Sequence, residues 1–261
     1  MDKRRKDKIL LAVLIVVIIA INYPIIDKVL ENNLRGQESG VVERVIDGDT
    51  VVIGNISVRL LGINSPERGE PYYKEAKEFL ELLILNKTVK MEPGREDLDR
   101  YSRKLRYLLI GTTNINSELI KEGLANSYFP RGKDKHYEEF KEIWKSCIRK
   151  KENLCEPSKS ICSRCISLKK LDHKSQEVVL KNQCIYNCNL KNWSIKDEGR
   201  KKYKFAEVNL AGDKEITIKV GEGNDSKDIL FWERKDYVWT ATGDTLFLRD
   251  SEGKLVLWES Y

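Results

Sequence analysis

The sequence predicts an apolar, positively led N-terminal segment followed by two small domains, the first a β-barrel or curled sheet with helices against it, the second an all-β sandwich. Three observations predict this. A cluster of cations precedes a long uncharged run. β-branched runs broken by turn dipeptides then alternate with segments of helical period. The last third carries about seven short strand-like runs at the regular spacing of a sandwich.

Lys3, Arg4, Arg5, Lys6 and Lys8 stand before an uncharged stretch from Ile9 to Ile26. At about 1.5 Å per residue a helix there covers roughly 27 Å, close to the hydrocarbon thickness of a bilayer. Cations before such a run stay cytoplasmic, so the rest of the chain is expected outside. A cleaved signal peptide competes with this reading. Ala12 and Ala20 are isolated and Tyr23-Pro24 follows, which favours an uncleaved, single-pass transmembrane anchor over residues 1–26. Residues 27–39 are polar and read as a stalk.

The first domain is expected over residues 40–150. Val41-Val42, Val45-Ile46, Val51 to Ile53 and Val58 to Leu61 are strand runs, broken by Asp47-Gly48-Asp49 and Gly54-Asn55. Ala76, Phe79, Leu80, Leu83 and Ile84 recur at spacings of three and four, which predicts a helix over 75–85. Thr88 to Met91 and Leu105 to Ile110 read as strands around a turn at Asp99 to Ser102. Two more helices are expected over 116–124 and 137–148.

Residues 151–165 read as a cysteine-rich linker, and the sandwich is expected over 166–261. Its strands are expected at 177–180, 193–195, 203–210, 216–220, 236–240, 245–248 and 255–258. All six cysteines lie between Cys147 and Cys188. In an exported chain an even number suggests disulfides. Cys162-x2-Cys165 followed by Cys184-x3-Cys188 leaves zinc open, although a strict zinc ribbon has two residues in the second gap. A local Cys184–Cys188 disulfide is one arrangement the spacing allows. Trp193 reads as core, and His136 and His173 as surface residues.

The formal net charge of +6 mildly favours polyanionic partners, and 41% hydrophobic residues exclude a largely disordered chain. Three clusters carry candidate chemistry. The turn Ile46-Asp47-Gly48-Asp49-Thr50 bears two carboxylates. Arg59 ends a strand, and Asn64, Ser65 and Glu67 lie on the loop after it. Asp99-Arg100-Tyr101-Ser102-Arg103 brings another arginine. Oxygen ligands without His or Cys suit calcium. Arginines suit a phosphate and its transition-state charge, and a carboxylate beside them could activate water.

In their order and spacing these clusters, with the Glu122-Gly123-Leu124-Ala125 helix end, resemble the staphylococcal nuclease-like (thermonuclease) family from about Val41 to Trp144. The resemblance implies a five-stranded OB-type barrel with three helices, an α+β fold that commonly binds oligonucleotides. It implies a calcium-dependent nuclease acting on DNA or RNA and leaving 3′-phosphates. Asp49, Asn64 and the Ser65 carbonyl would be the metal ligands. Arg59 and Arg103 would grip the scissile phosphate, and Glu67 would position or activate the water. Tyr101, with Tyr128 or Phe129, would contact the nucleotide. Asn64 departs from the family, which has an aspartate there. A neutral amide keeps an oxygen donor but removes one charge, which implies weaker calcium binding. A catalytically inactive OB module that only binds nucleic acid or protein is the alternative. It has no need of Asp49, Arg59, Glu67 and Arg103 together.

Val178 to Asn182, Leu190 to Asp197 and Gly243 to Leu248 resemble the lamin-tail-like domain, an immunoglobulin-like sandwich. That implies a non-catalytic module binding nucleic acid or a cell-envelope component.

Overall fold

The computed structural model describes residues 13–14, 16–23 and 38–261. Two compact units divide the chain after Ser39. In the first unit, residues 13–14 and 16–23 are helical and expose Val16, Val17, Ile18, Ile19 and Ile21. Among the described residues no helix is long and apolar enough to cross a membrane. Part of the expected anchor over 9–26 and most of the stalk over 27–39 lie outside the described residues.

The second unit opens with the barrel. Strands β1 (Ser39–Asp47), β2 (Thr50–Ile53), β3 (Ile56–Leu60), β5 (Thr88–Leu98) and β6 (Lys104–Ile110) close on themselves through a parallel β3–β6 pairing. Short β4 (Ile63–Asn64) pairs with β8 (Asn126–Ser127), and β7 (Thr113–Asn114) extends β6. Helices α1 (Tyr73–Ile84), α2 (Ile115–Lys121) and α3 (Tyr137–Lys150) cover the barrel. The apolar stripe of α1 buries Ala76, Leu80 and Ile84, as its period predicts. The Asn114 side chain caps α2 by accepting from Asn116 N (3.0 Å), which satisfies one of the free N–H groups at the helix start.

The C-terminal region is β-rich. One sheet runs β16 (Ile229–Trp232), β15 (Glu215–Val220), β10 (Glu177–Asn182), β9 (Ile166–Asp172). The facing sheet runs β13 (Lys202–Lys204), β12 (Ser194–Lys196), β17 (Thr245–Arg249), β18 (Leu255–Ser260). β11 (Cys188–Asn189) and β14 (Asn209–Leu210) form a small ribbon. Trp193, Trp239, Phe205 and Ile195 fill the space between the sheets. Trp193 is core, as expected.

Three features differ from the sequence reading. Residues 236–240 form no strand, because a side chain does a strand's work. The Gln176 amide oxygen accepts from Val238 N (2.7 Å) and Trp239 N (3.1 Å), and its Nε2 donates to Trp239 O (2.8 Å). The cysteines pair as Cys147–Cys155, Cys162–Cys188 and Cys165–Cys184, so neither a local Cys184–Cys188 bridge nor a zinc site forms. Both histidines are half-buried. His136 lies against Tyr107 and Phe140, and His173 stacks on Tyr261.

Barrel and sandwich share core. Phe247 and Leu255 of the sandwich belong to the same buried cluster as the barrel's Leu119 and Leu124, and Phe247 meets Trp144 edge-on at 5.5 Å. Two ion-pair groups flank this contact. Glu70 meets Lys196 (3.5 Å) and Lys202 (3.2 Å), and Lys254 pairs with Glu156 beside Tyr72.

Replacing Gln176 with alanine strips the 238–239 backbone of its partners. Leaving such buried groups unsatisfied lowers unfolding free energy by about 2–3 kcal/mol, measurable by chemical denaturation. An unchanged midpoint would show that water replaces the amide.

Candidate active site

The barrel end nearest the sandwich gathers the β1–β2 turn, the end of β3 and the start of β6. Register places them together: Thr50 is opposite Arg59, and Arg59 is beside Leu105, two residues after Arg103. The turn is tight because Asp47 accepts from Asp49 N (3.1 Å), a short-range bond typical of Asp in turns. Gly48 is required there. A Cβ would stand 2.8 Å from the Cβ atoms of both Ala76 and Ser65. Gly62, with φ 73°, turns the chain after β3 where a Cβ would strike Phe140 at 2.7 Å.

Asp49 is 1% exposed. Its Oδ2 accepts from Ser65 N (3.0 Å) and pairs with Arg59 Nη1 (3.0 Å), while Oδ1 accepts from the Thr50 hydroxyl (3.1 Å). Burial acts to raise this carboxyl. The Arg59 charge, the Ser65 N–H, Arg200 and the Thr50 hydroxyl outweigh it and hold Asp49 below the ordinary carboxylate range. Asp47 moves the other way: burial, then the Asp49 charge, push it up.

Arg59 is buried in a nest of oxygens. Nη1 donates to Leu60 O (3.0 Å), and Nη2 donates to Ile63 O (3.1 Å) and Asn64 Oδ1 (3.4 Å). Asn64 is 1% exposed, and its Nδ2 donates to Gly199 O of the sandwich (2.9 Å). Arg103 is held by Asp99 through Nε (2.7 Å) and Nη2 (2.7 Å), and its Nη1 donates to the Thr50 hydroxyl (3.2 Å). Glu67 is half-exposed and pairs with Arg200 Nε at 2.5 Å.

Arg59 and Arg103 of the barrel and Arg200 of the sandwich line an open cleft of about 640 Å³. Tyr101, 60% exposed, lies at its rim with the Arg100 guanidinium 4.8 Å from its ring centre. Of the two candidate stacking aromatics, Tyr128 is half-buried on the cleft wall. The Phe129 ring is buried against Tyr137 and Phe140, which withdraws its face from a base. Arg59, Arg103, Tyr101 and Tyr128 thus border one cavity. Asp49, Asn64, Ser65 and Glu67 do not line it: Asp49 and Ser65 are joined by a hydrogen bond, Asn64 is bound to Arg59 and Glu67 to Arg200.

Comparison with known proteins gives this geometry a lineage. Residues 57–156 match the family model described as staphylococcal nuclease homologue, and residues 165–261 match the lamin tail domain. The thermonuclease of Staphylococcus intermedius is 36% identical over 168 residues, spanning 60% of this chain and 99% of that protein. The chain belongs to the staphylococcal nuclease family. The thermonuclease of Staphylococcus hyicus is 34% identical over 123 residues, covering 43% of this chain and 73% of that one. An uncharacterized endonuclease of Haemophilus influenzae is 36% identical over 92 residues, 33% of this chain and 51% of its own. The chain is a phosphodiester-hydrolysing nuclease followed by a lamin tail domain, and its substrates are nucleic acids.

Among the described residues no group of three or more His, Cys, Asp or Glu side chains is gathered to hold a metal ion. The oxygens around Arg59 nevertheless suit a hard cation. The Ile63 carbonyl and the Asn64 amide oxygen already enclose a guanidinium there.

The sequence reading of the nuclease missed the sandwich's share of this site. The loop of residues 197–201 joins β12 to β13 and seats on the barrel. Asn126 Nδ2 donates to Glu198 O (2.8 Å), and Phe129 N donates to Glu198 Oε1 (3.1 Å). Burial, then Asp244, raise the Glu198 carboxyl to about 8; burial and Asp244 raise Asp197 to about 6. The Thr245 hydroxyl and the Phe129 N–H also face Glu198, and Lys141 and Tyr261 line the small cavity beside it.

The folded nuclease therefore keeps a proton on Glu198 that the unfolded chain releases above its ordinary 4.5. That contribution is full below pH 4.5 and is lost as pH rises through about 8. Thermal midpoints should fall across this window, and Glu198→Gln should flatten much of the fall. A Glu198→Gln profile parallel to wild type would place the dependence elsewhere.

Proposed function

We propose that the chain is a calcium-dependent nuclease, anchored by residues 9–26 with its domains outside the membrane, that attacks DNA or RNA phosphodiesters with water and leaves 3′-phosphates. The observation that carries this reading is the convergence of Asp49, Glu67, Arg59 and Arg103 on one barrel end beside an open cleft.

In this reading Asp49, the Asn64 amide oxygen and the Ser65 carbonyl hold calcium. When bound, the ion supplies positive charge to a phosphate that becomes more anionic as water adds. Glu67, half-exposed on the loop after β4, accepts a proton from the attacking water. Arg103 is kept from swinging by Asp99 and Thr50, so its guanidinium meets the phosphate already oriented. Tyr101 and Tyr128 flank the nucleotide across the cleft. Three disulfides support export, because such bridges persist in oxidising compartments. The cations before Ile9 favour an orientation with the N-terminus inside. Beyond its place at the catalytic cleft, the lamin tail domain would hold nucleic acid or an envelope component.

Glu67→Gln should lower the rate of single-stranded DNA cleavage by about 10²–10⁴-fold, the usual worth of a general base. Arg103→Ala should lower it by about 10²–10³-fold. Wild-type rates in both variants would remove this site from the chemistry. With one anionic ligand replaced by an amide, half-maximal activation by calcium should fall at ~10⁻⁴–10⁻³ M, the range of extracellular calcium modules. Full activity in chelator would overturn the metal requirement.

A further inference from the structure

We infer that Arg200 of the lamin tail domain is a phosphate-binding residue of the nuclease site, so that the catalytic centre is built from both domains. The inference rests on the reading of the site given above and adds to it a residue from outside the barrel.

Seven arginines line the cleft. Three of them, Arg59, Arg103 and Arg200, bond or pair with the other candidate site residues, and these three differ in what they have left to offer a substrate. Arg59 has an 8% exposed side chain. Both of its Nη groups donate to protein oxygens: Leu60 O, Ile63 O, Asn64 Oδ1 and the Asp49 carboxylate. Arg103 is 19% exposed and is bound through Nε, Nη1 and Nη2 to Asp99 and Thr50. Arg200 is 47% exposed, and Glu67 is its one ion-pair partner among the described residues. That pair is made through Nε, among the described residues neither Nη donates to a protein oxygen, and Arg200 lines the cleft. A planar fork with free N–H groups is the donor set that binds a phosphate bidentately.

Arg200 is also held in place. It sits in the tight loop between β12 and β13, closed by Asp197 N to Lys201 O (3.0 Å) and Lys201 N to Asp197 Oδ1 (2.9 Å). β12 is paired on both sides, with β13 and β17. From the barrel, Asn64, Asn126 and the Phe129 N–H each bond the loop just before Arg200. A donor fixed from both sides lowers the ordering cost of gripping a charge that develops during reaction. The cleft stays open beside it, so the loop forms a wall and does not cover the site. Its charge already acts on a catalytic group, since it pairs with Glu67.

The test uses the full-length chain in detergent with single-stranded DNA. Arg200→Ala should lower kcat about 10²-fold with a smaller change in KM, as removal of a transition-state donor does. Arg200→Lys should restore the charge but little of the rate, because an ammonium lacks the fork. In a Glu67→Gln background, where the Glu67 ion pair is already gone, Arg200→Ala should still weaken DNA binding about tenfold. It should also reduce the slope of log Kd against log salt by about one, as loss of one phosphate contact does. Silence in that background means Arg200 only pairs with Glu67, and overturns the inference. A rise in kcat for Arg200→Ala also overturns it, because the loop would then restrain the site. Arg103→Ala, run alongside, separates the two readings. Loss at Arg103 with none at Arg200 leaves the nuclease site standing and removes only the composite centre. No loss at either removes the site itself.

Discussion

The Asp49–Arg59 ion pair lies almost wholly out of water, at a barrel end that has to stay open to solvent for a substrate to enter. A buried pair is tolerable only when the remaining donors and acceptors are also met. The local sequence meets them one by one. Thr50 and the Ser65 N–H finish the carboxylate, and the carbonyls of Leu60 and Ile63 finish the guanidinium. Those partners come from the β1–β2 turn, from β3 and from the loop after it. Their conformations are therefore coupled. Gly48 and Gly62 stand where this convergence brings backbone close to other side chains.

Asn64 extends the same network into the second domain. Its Oδ1 accepts from Arg59 while its Nδ2 donates to Gly199 O. A carboxylate could do the first and not the second, and would face the Gly199 carbonyl with a lone pair. The amide at a position where the family has an aspartate thus has a structural cause as well as an electrostatic consequence. It trades charge at the barrel end for a fixed sandwich loop. Under the proposed calcium role, the position would link metal affinity to domain docking, and a change there would alter both at once.

What the sequence disclosed depended on whether the physics was local. The apolar spacing of Ala76, Leu80 and Ile84, the Asp47-Gly48-Asp49 turn and the Asp99 to Arg103 turn each write their structure into a few consecutive residues. The barrel and the groups on its open end could be read from them. Long-range features could not. Gln176 replaces a strand neighbour for Val238 and Trp239 from about sixty residues away, and nothing in the 236–240 run distinguishes a ladder from that amide. The disulfide partners of Cys162 and Cys165 depend on how β9 pairs with β10, which brings Ser167 opposite Lys181. Arg200 sits in an ordinary hairpin turn of the sandwich. Its importance arises only because Phe247 and Leu255 join the barrel core and fix how that hairpin meets the cleft.

That docking raises an electrostatic difficulty, since the loop presenting Arg200 also carries Asp197 and Glu198, with Asp244 beside them. Three ionised carboxylates at the cleft edge would repel the polyanion that Arg200 is placed to bind. Burial between the domains removes much of this repulsion. Glu198 is raised to about 8 and so is largely neutral at pH 7, and Asp244 is raised by burial as well. The neutral Glu198 still accepts the Phe129 N–H, so the loop keeps its anchor without its charge. Arg200 is half-exposed on the same loop, and Glu67 is its ion-pair partner among the described residues. Domain docking therefore does two things to one hairpin. It suppresses the Glu198 charge by burying that carboxyl, and it leaves the Arg200 guanidinium exposed at the cleft.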